Sequence, residues 1–167
     1  MLAHDRSGEH PQGDLGQLIL LAVFLAVWTA DSFFVRFSTF AASFVPFWLR
    51  GPGAGILFVL AGLLVYQSHG VLHVPGAVRK LRTEGAFAYV RHPLYLSVWF
   101  VYFGLIITTM SLASLAVMTV VIPFYDHIAR YEERFLEDIF GQEYISYKAR
   151  VPRWIPGLRP RGRKSPP

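Results

Sequence analysis

Two short polar blocks hold the side chains of this chain that are equipped for chemistry. The first is Arg91-His92-Pro93-Leu94-Tyr95, within TEGAFAYVRHPLY at 83–95. The second starts at Arg130, passes through the adjacent acids Glu132 and Glu133, and continues as FGQEYISYKARVPRWIP at 140–156, which includes Arg150. Carboxylates can hold an ammonium group or ribose hydroxyls, aromatic faces attract a cation, and arginine grips a carboxylate through two parallel hydrogen bonds. The combination suits a ligand with both cationic and apolar parts. Other chemistries lack their residues. The chain contains no cysteine, which removes disulfides, thiolate metal sites and thiol nucleophiles. His69, His73 and His92 are loosely spaced, so no metal site is expected. A nucleophile–base–acid triad is not evident either.

Each block also has an ordinary explanation. Proline fits the first turn of a helix, where its missing N–H costs nothing, so Arg91-His92-Pro93 can be a helix start with an interfacial arginine. Glu132 and Glu133 can form a solvated face paired with Arg130 and Arg134, and Tyr144, Tyr147 and Trp154 can be interfacial packing. What points to a site is the conjunction, and that depends on the elements that position the blocks.

Those elements read as membrane helices. Of the 167 residues, 53% are hydrophobic and only 16% charged, against about 25% charged in ordinary soluble domains. The apolar residues fall in charge-poor runs long enough to cross a bilayer. The expected fold is all-α and polytopic, with about four spans at 15–35, 51–67, 93–109 and 112–128. A charged helical extension and a carboxyl-terminal segment follow the last span. The uncharged run 93–125 is too long for one straight helix across a core of about 30 Å, so a tight hairpin is expected near 108–114. The fourth helix should continue past Pro123, with a kink, and stop at Gly141. Gly51, Gly53, Gly55 and Gly62 are small enough to allow close helix contact. Asp31, near the end of the first span, reads as a boundary residue beside Arg36. Residues 1–14 are expected to be a flexible tail, 15–157 one domain, and 158–167 a disordered basic tail.

Charge then sets topology. Four spans place the amino terminus, the 68–91 loop and the carboxyl tail on one side, with 14 of the 16 Lys and Arg; only Arg36 and Arg50 lie opposite. The rich side is expected to be cytoplasmic, in the cytoplasmic membrane, with both polar blocks facing the cytoplasm. The net charge of +5 thus reads as topology and contact with anionic lipid, and nucleic acid is not an expected partner. Oligomeric state is not legible.

At these residues the chain resembles the isoprenylcysteine carboxyl methyltransferase family and its phospholipid N-methyltransferase relatives. The resemblance is carried by TEGAFAYVRHPLY, the Glu132-Glu133 pair and FGQEYISYKARVPRWIP, three ordered blocks around an apolar hairpin, and covers about 66–156. Two positions depart from the family pattern. Gly85-Ala86-Phe87 replaces the usual Gly-Pro-Tyr, and Ser97 stands where glycine is common; both bear on the shape of the substrate entrance. The resemblance implies an integral-membrane methyltransferase that uses S-adenosylmethionine without a Rossmann fold. Its cofactor pocket would face the cytoplasm under the carboxyl-terminal segment, and its lipophilic substrate, a small molecule or a lipid, would enter from the bilayer. By the same resemblance Arg91, His92, Pro93, Tyr95, Glu132 and Glu133 hold the cofactor. Arg130 and Arg150 are the candidates for orienting an acceptor carboxylate or closing the site. Carboxyl O-methylation is the favoured reaction. Phospholipid amine N-methylation, small-thiol S-methylation and a non-catalytic protein that kept the fold are the alternatives. A carboxylate or thiolate acceptor needs no general base, whereas an amine must lose a proton, with His92 or Tyr95 as the group to help.

Overall fold

The computed structural model describes residues 13–69 and 81–155. The expected amino-terminal tail to residue 12, loop cations Arg79 and Lys80, His73, and the basic tail lie outside the described residues. The described residues form helices and turns, with no strand among them: α1 (Gly13–Thr29), α2 (Phe47–His69), α3 (Pro93–Thr109), α4 (Leu112–Phe140) and α5 (Gln142–Lys148). Gly13–Val35, Phe47–Ser68 and Leu112–Phe140 are each long and apolar enough to cross a membrane, and α3 is a shorter apolar helix. The fold is therefore all-α and polytopic, as composition implied.

Local chemistry sets the ends of α3 and α4. Pro93 occupies the first turn of α3 behind His92. Met110 closes the helix in the left-handed region (φ 55°), and its N–H donates to the Ile106 carbonyl at 2.6 Å. Ser111 then caps α4 by accepting from the Ser114 N–H at 3.1 Å. The hairpin thus turns within two residues. Helix α4 runs unbroken through Pro123 for 29 residues, about 44 Å at 1.5 Å per residue. That is longer than the hydrocarbon core, so its charged end projects beyond the apolar layer. Gly141, at φ 51°, ends it with its N–H on the Glu137 carbonyl at 2.8 Å.

The two-residue hairpin makes α3 and α4 antiparallel. Along α1 and α3, which run parallel, Trp28 near the end of α1 donates from Nε1 to the Leu105 carbonyl (3.0 Å) and to Thr109 Oγ1 (3.1 Å). The starts of α1 and α3 and the far end of α4 therefore share one end of the bundle. Phe24, Trp99, Tyr102, Met118, Val121 and Tyr125 fill the centre, with Phe24 stacked on Tyr102 at 4.3 Å. Much of the apolar surface of α1 and α2 stays exposed, as a lipid-facing helix requires.

Three sequence expectations need correction. Helix α2 starts at Phe47, four residues before the expected 51, because Pro46 supplies the first-turn carbonyl for both the Leu49 and Arg50 N–H groups. The close helix approaches are not at the α2 glycines. Space for a Cβ is open at Gly53, Gly55 and Gly62, and at Gly51 the nearest atoms belong to Phe47 of the same helix. The helices instead meet closely at Gly16, where a Cβ would lie 2.3 Å from the Phe124 ring, and at Gly104, 2.6 Å from the Phe58 ring. Finally, Asp31 is not a solvated boundary residue. It is 6% exposed, on a π-helical turn (Ala30–Val35) that continues α1. It accepts from Ser38 N (2.9 Å), Ser38 Oγ (2.5 Å) and Ser111 Oγ (2.6 Å).

Candidate active site

The opposite end of the bundle assembles both polar blocks. Four stretches of chain meet there: the segment 81–92, the start of α3, the second half of α4, and α5 with the residues after it. A small second core of Leu81, Tyr144, Tyr147 and Val151 holds them together, with Leu136 and Phe140 packed against it. The Tyr147 hydroxyl donates to the Phe87 carbonyl at 2.8 Å, and the Arg91 N–H to the Pro152 carbonyl at 3.0 Å. Burial, together with nearby negative charge for Tyr144, pushes the Tyr144 and Tyr147 hydroxyls well above the ordinary phenol range, so both stay neutral.

Glu133 is the centre of the site. Its side chain is 1% exposed, and burying a carboxylate is costly unless opposite charges and donors replace the lost water. They come from every side. Arg153 makes a two-pronged contact, Nε to Oε1 and Nη2 to Oε2, both at 2.8 Å. His92 Nε2 lies 3.2 Å from Oε1. Arg91 Nη1 is 3.1 Å from Oε2, and Lys148 Nζ 3.7 Å. The hydrogen bonds to Glu133 raise the Arg153 guanidinium still further above its ordinary range, against the opposing effect of burial.

Glu132 sits one residue away and in a different setting. It is 25% exposed, its Oε2 lies 3.5 Å from His92 Nδ1, and it accepts from the Tyr95 hydroxyl. The His92 ring therefore has a carboxylate facing each nitrogen. A neutral ring donates to one of them, and a doubly protonated ring to both. Aromatic rings complete this end. His92 and Tyr95 are parallel at 5.6 Å. Trp154 lies 5.6 Å from His92 and stacks on Trp99 at 4.3 Å.

The structure thus brings together Arg91, His92, Tyr95, Glu132 and Glu133, with Pro93 buried beneath them at the helix start. It does not bring in Arg130 or Arg150. Arg130 is 61% exposed and pairs with Asp126 at 2.5 Å along its own helix. Arg150 is exposed, and its Nε donates to the Ser146 carbonyl at 3.0 Å. The arginine that does reach the acids is Arg153, which sequence reasoning did not single out. Its Nη1 also donates to Asp126 Oδ1 at 2.9 Å, an oxygen shared with Trp154 Nε1 at 2.8 Å. One signal was available: Asp126 precedes Glu133 by seven residues, two turns along the same face of α4. Nothing in the order of residues named Arg153 rather than Arg150 as their partner.

Comparison with known proteins places this arrangement in a family. The chain is 34% identical over 79 residues to protein-S-isoprenylcysteine O-methyltransferase B of Arabidopsis thaliana, covering 46% of this chain and 40% of that protein. It is 26% identical over 131 residues to protein-S-isoprenylcysteine O-methyltransferase of Schizosaccharomyces pombe, covering 73% and 56%. A methanethiol S-methyltransferase of Crocosphaera subtropica is 36% identical over 86 residues, covering 52% and 32%. The chain thus spans between about a third and somewhat over half of the length of these relatives. No solved structure matches. The sequence model for phospholipid methyltransferases matches residues 53–143, more than half of the 167 residues, and that stretch contains the start of α3 and the Glu132-Glu133 pair. The chain belongs to the phospholipid methyltransferase family.

Proposed function

We propose that the protein transfers a methyl group from S-adenosylmethionine to a lipophilic acceptor, in a reaction most like isoprenylcysteine carboxyl O-methylation. Residues 15–157 act as one membrane domain, in the cytoplasmic membrane with the Glu133 end facing the cytoplasm. The observation that carries this reading is Glu133, a nearly fully buried carboxylate held by Arg153, His92 and Arg91 at the end of a membrane bundle. An ordinary lipid-facing helix has no use for it.

The residues present fit the methyl donor. Arg91 keeps Nε buried without a hydrogen-bond partner among the described residues, while its Nη1 is held by Glu133; the Nε donor is available to a carboxylate. Glu132 and Glu133 suit an ammonium group or ribose hydroxyls, and the His92, Tyr95 and Trp154 rings offer faces to a cation. On this reading Arg91, His92, Pro93, Tyr95, Glu132 and Glu133 bind the donor. When bound, it supplies an electrophilic methyl group on a sulfonium with a good leaving group. The protein's task is then alignment and exclusion of water. The segment 151–155 serves both, because Arg153 and Trp154 tie it over Asp126 and Glu133. Arg130 and Arg150, exposed in this structure, would reach an acceptor only from the rim.

Phospholipid amine N-methylation and small-thiol S-methylation are the competing reactions. The likeness to a methanethiol S-methyltransferase favours the thiol as the second reading. The test is direct. Purified protein in lipid nanodiscs is titrated with S-adenosylhomocysteine in a calorimeter, then given labelled methyl donor with a prenylated thiol carboxylate, a lipid amine or a small thiol. Saturable binding and label on the carboxylate are expected. No saturable binding, in detergent and in lipid, overturns the methyltransferase reading; label on the amine or thiol overturns the choice of acceptor.

A further inference from the structure

Three of the four tryptophans have an evident place for their indole N–H. Trp28 donates to Leu105 and Thr109, Trp154 donates to Asp126, and Trp48 is 75% exposed. Trp99 differs. Its side chain is 8% exposed, and its Nε1 is buried with no hydrogen-bond partner among the described residues. A buried, unmade hydrogen bond costs about 1–3 kcal/mol, and inside a membrane bundle bulk water does not relieve it. Native chains seldom leave such a donor idle, which directs attention to a ligand.

The position of Trp99 indicates which ligand. Seven residues into α3 from His92, it lies about 10 Å deeper along the helix axis, and Trp154 packs between the two rings, stacked on Trp99. One turn deeper, Phe103 joins Met118, Ile122 and Pro123 in lining a shallow apolar hollow of about 320 Å³, open to the surface, between α3 and α4. Down this side of α3 come the charged cluster, the Trp99 donor and the apolar hollow, in that order. An amphiphile with its chain in the hollow places its polar end at the level of Trp99.

We propose that Trp99 is a specificity-determining residue that recognises the methyl acceptor: its Nε1–H donates to a carboxylate oxygen of a lipophilic acid whose chain occupies the hollow beside Phe103 and Pro123. The assignment rests on the methyltransferase reading for its biological meaning, but it is a binding claim and can be tested without turnover. Trp99→Phe keeps an aromatic ring against Trp154 and removes the donor along with the second ring of the indole; the loss of packing alone would weaken acid and thiol alike. In nanodiscs, equilibrium binding of S-prenylated N-acetylcysteine is compared with that of the matching prenyl thiol, which lacks the carboxylate, and S-adenosylhomocysteine is titrated in parallel. The variant is expected to bind the acid about tenfold more weakly, the loss of one charge-assisted hydrogen bond. Binding of the thiol and of S-adenosylhomocysteine should change less than twofold. The proposal is overturned if wild-type protein does not bind the acid, if the substitution changes acid binding by less than twofold, or if it weakens acid and thiol alike. Failure of S-adenosylhomocysteine to bind wild-type protein instead counts against the methyltransferase reading. Indole-¹⁵N signals of the wild-type protein give a second readout that needs no variant. The acid is expected to move the buried indole signal that no protein group engages, and binding that leaves all four signals in place overturns the proposal.

Discussion

Asp31 and Glu133 are both buried acids in the helical bundle, at opposite ends, and the chain satisfies them in opposite ways. Asp31 receives two serine hydroxyls and one backbone N–H. All are neutral, and all come from a neighbouring turn or the α3–α4 hairpin. Glu133 is surrounded by cations and a histidine from the start of α3, from α5 and from the segment after it. The serine shell closes on itself, since Ser38 Oγ also accepts the Ala113 N–H and Ser111 also caps α4. The groups around Glu133 are shared with other acids, Arg153 with Asp126, Lys148 with Glu137 and His92 with Glu132, and Arg91 Nε has no hydrogen-bond partner among the described residues. A saturated acid fastens helices, whereas one whose shell is shared and keeps an unpartnered donor has capacity for a ligand.

Substitutions can break that contrast. The largest effect is expected from Glu133→Ala. Removing it leaves Arg91 and Arg153 facing each other without their shared acid, a change worth about 3–5 kcal/mol, so thermal melting should fall sharply. S-adenosylhomocysteine affinity should fall about a hundredfold, read by calorimetry on the protein that remains folded. Next comes Arg153→Lys, which keeps the charge but loses the two-pronged contact. A loss of about tenfold in donor affinity is expected, and lysine performing as well as arginine would show that charge alone suffices. Asp31→Asn is expected to lower stability by about 1–3 kcal/mol, seen as a lower melting temperature, while donor affinity measured well below that temperature stays within twofold. A loss of donor affinity in Asp31→Asn matching that of Glu133→Ala would abolish the distinction between the two acids. The smallest effects belong to Arg130→Ala and Arg150→Ala. Both side chains are exposed, so S-adenosylhomocysteine affinity should not change; if Arg150 touches the acceptor, only the acceptor KM rises.

The same contrast explains what the sequence made legible. The absence of charge from 93 to 125 set the α3–α4 hairpin, because uncharged length and helix rise alone require a turn there. Arg91, His92, Tyr95, Glu132 and Glu133 were legible because topology brings two helix ends to one face. Arg153 was not, since a fork contact depends on the path taken after α5, and three arginines and lysines there compete on equal terms in one dimension. Asp31 was obscured by its π-helical turn, which rotates it inward, and by Ser111, a partner 80 residues away. Close helix contact at Gly16 and Gly104 was missed for a related reason: which glycine meets a phenylalanine ring is decided by the neighbouring helix.

The serine shell of Asp31 also has a consequence for how the chain enters the bilayer during synthesis. Asp31 is made long before the α3–α4 hairpin, and a lone acid near the end of an apolar helix is costly to insert. Ser38, seven residues on, is the only one of its two serine partners produced alongside it. It can accompany Asp31 through the insertion machinery as a local chaperone of the charge. Ser111 arrives afterwards and converts that provisional bond into a bolt between α1 and α4.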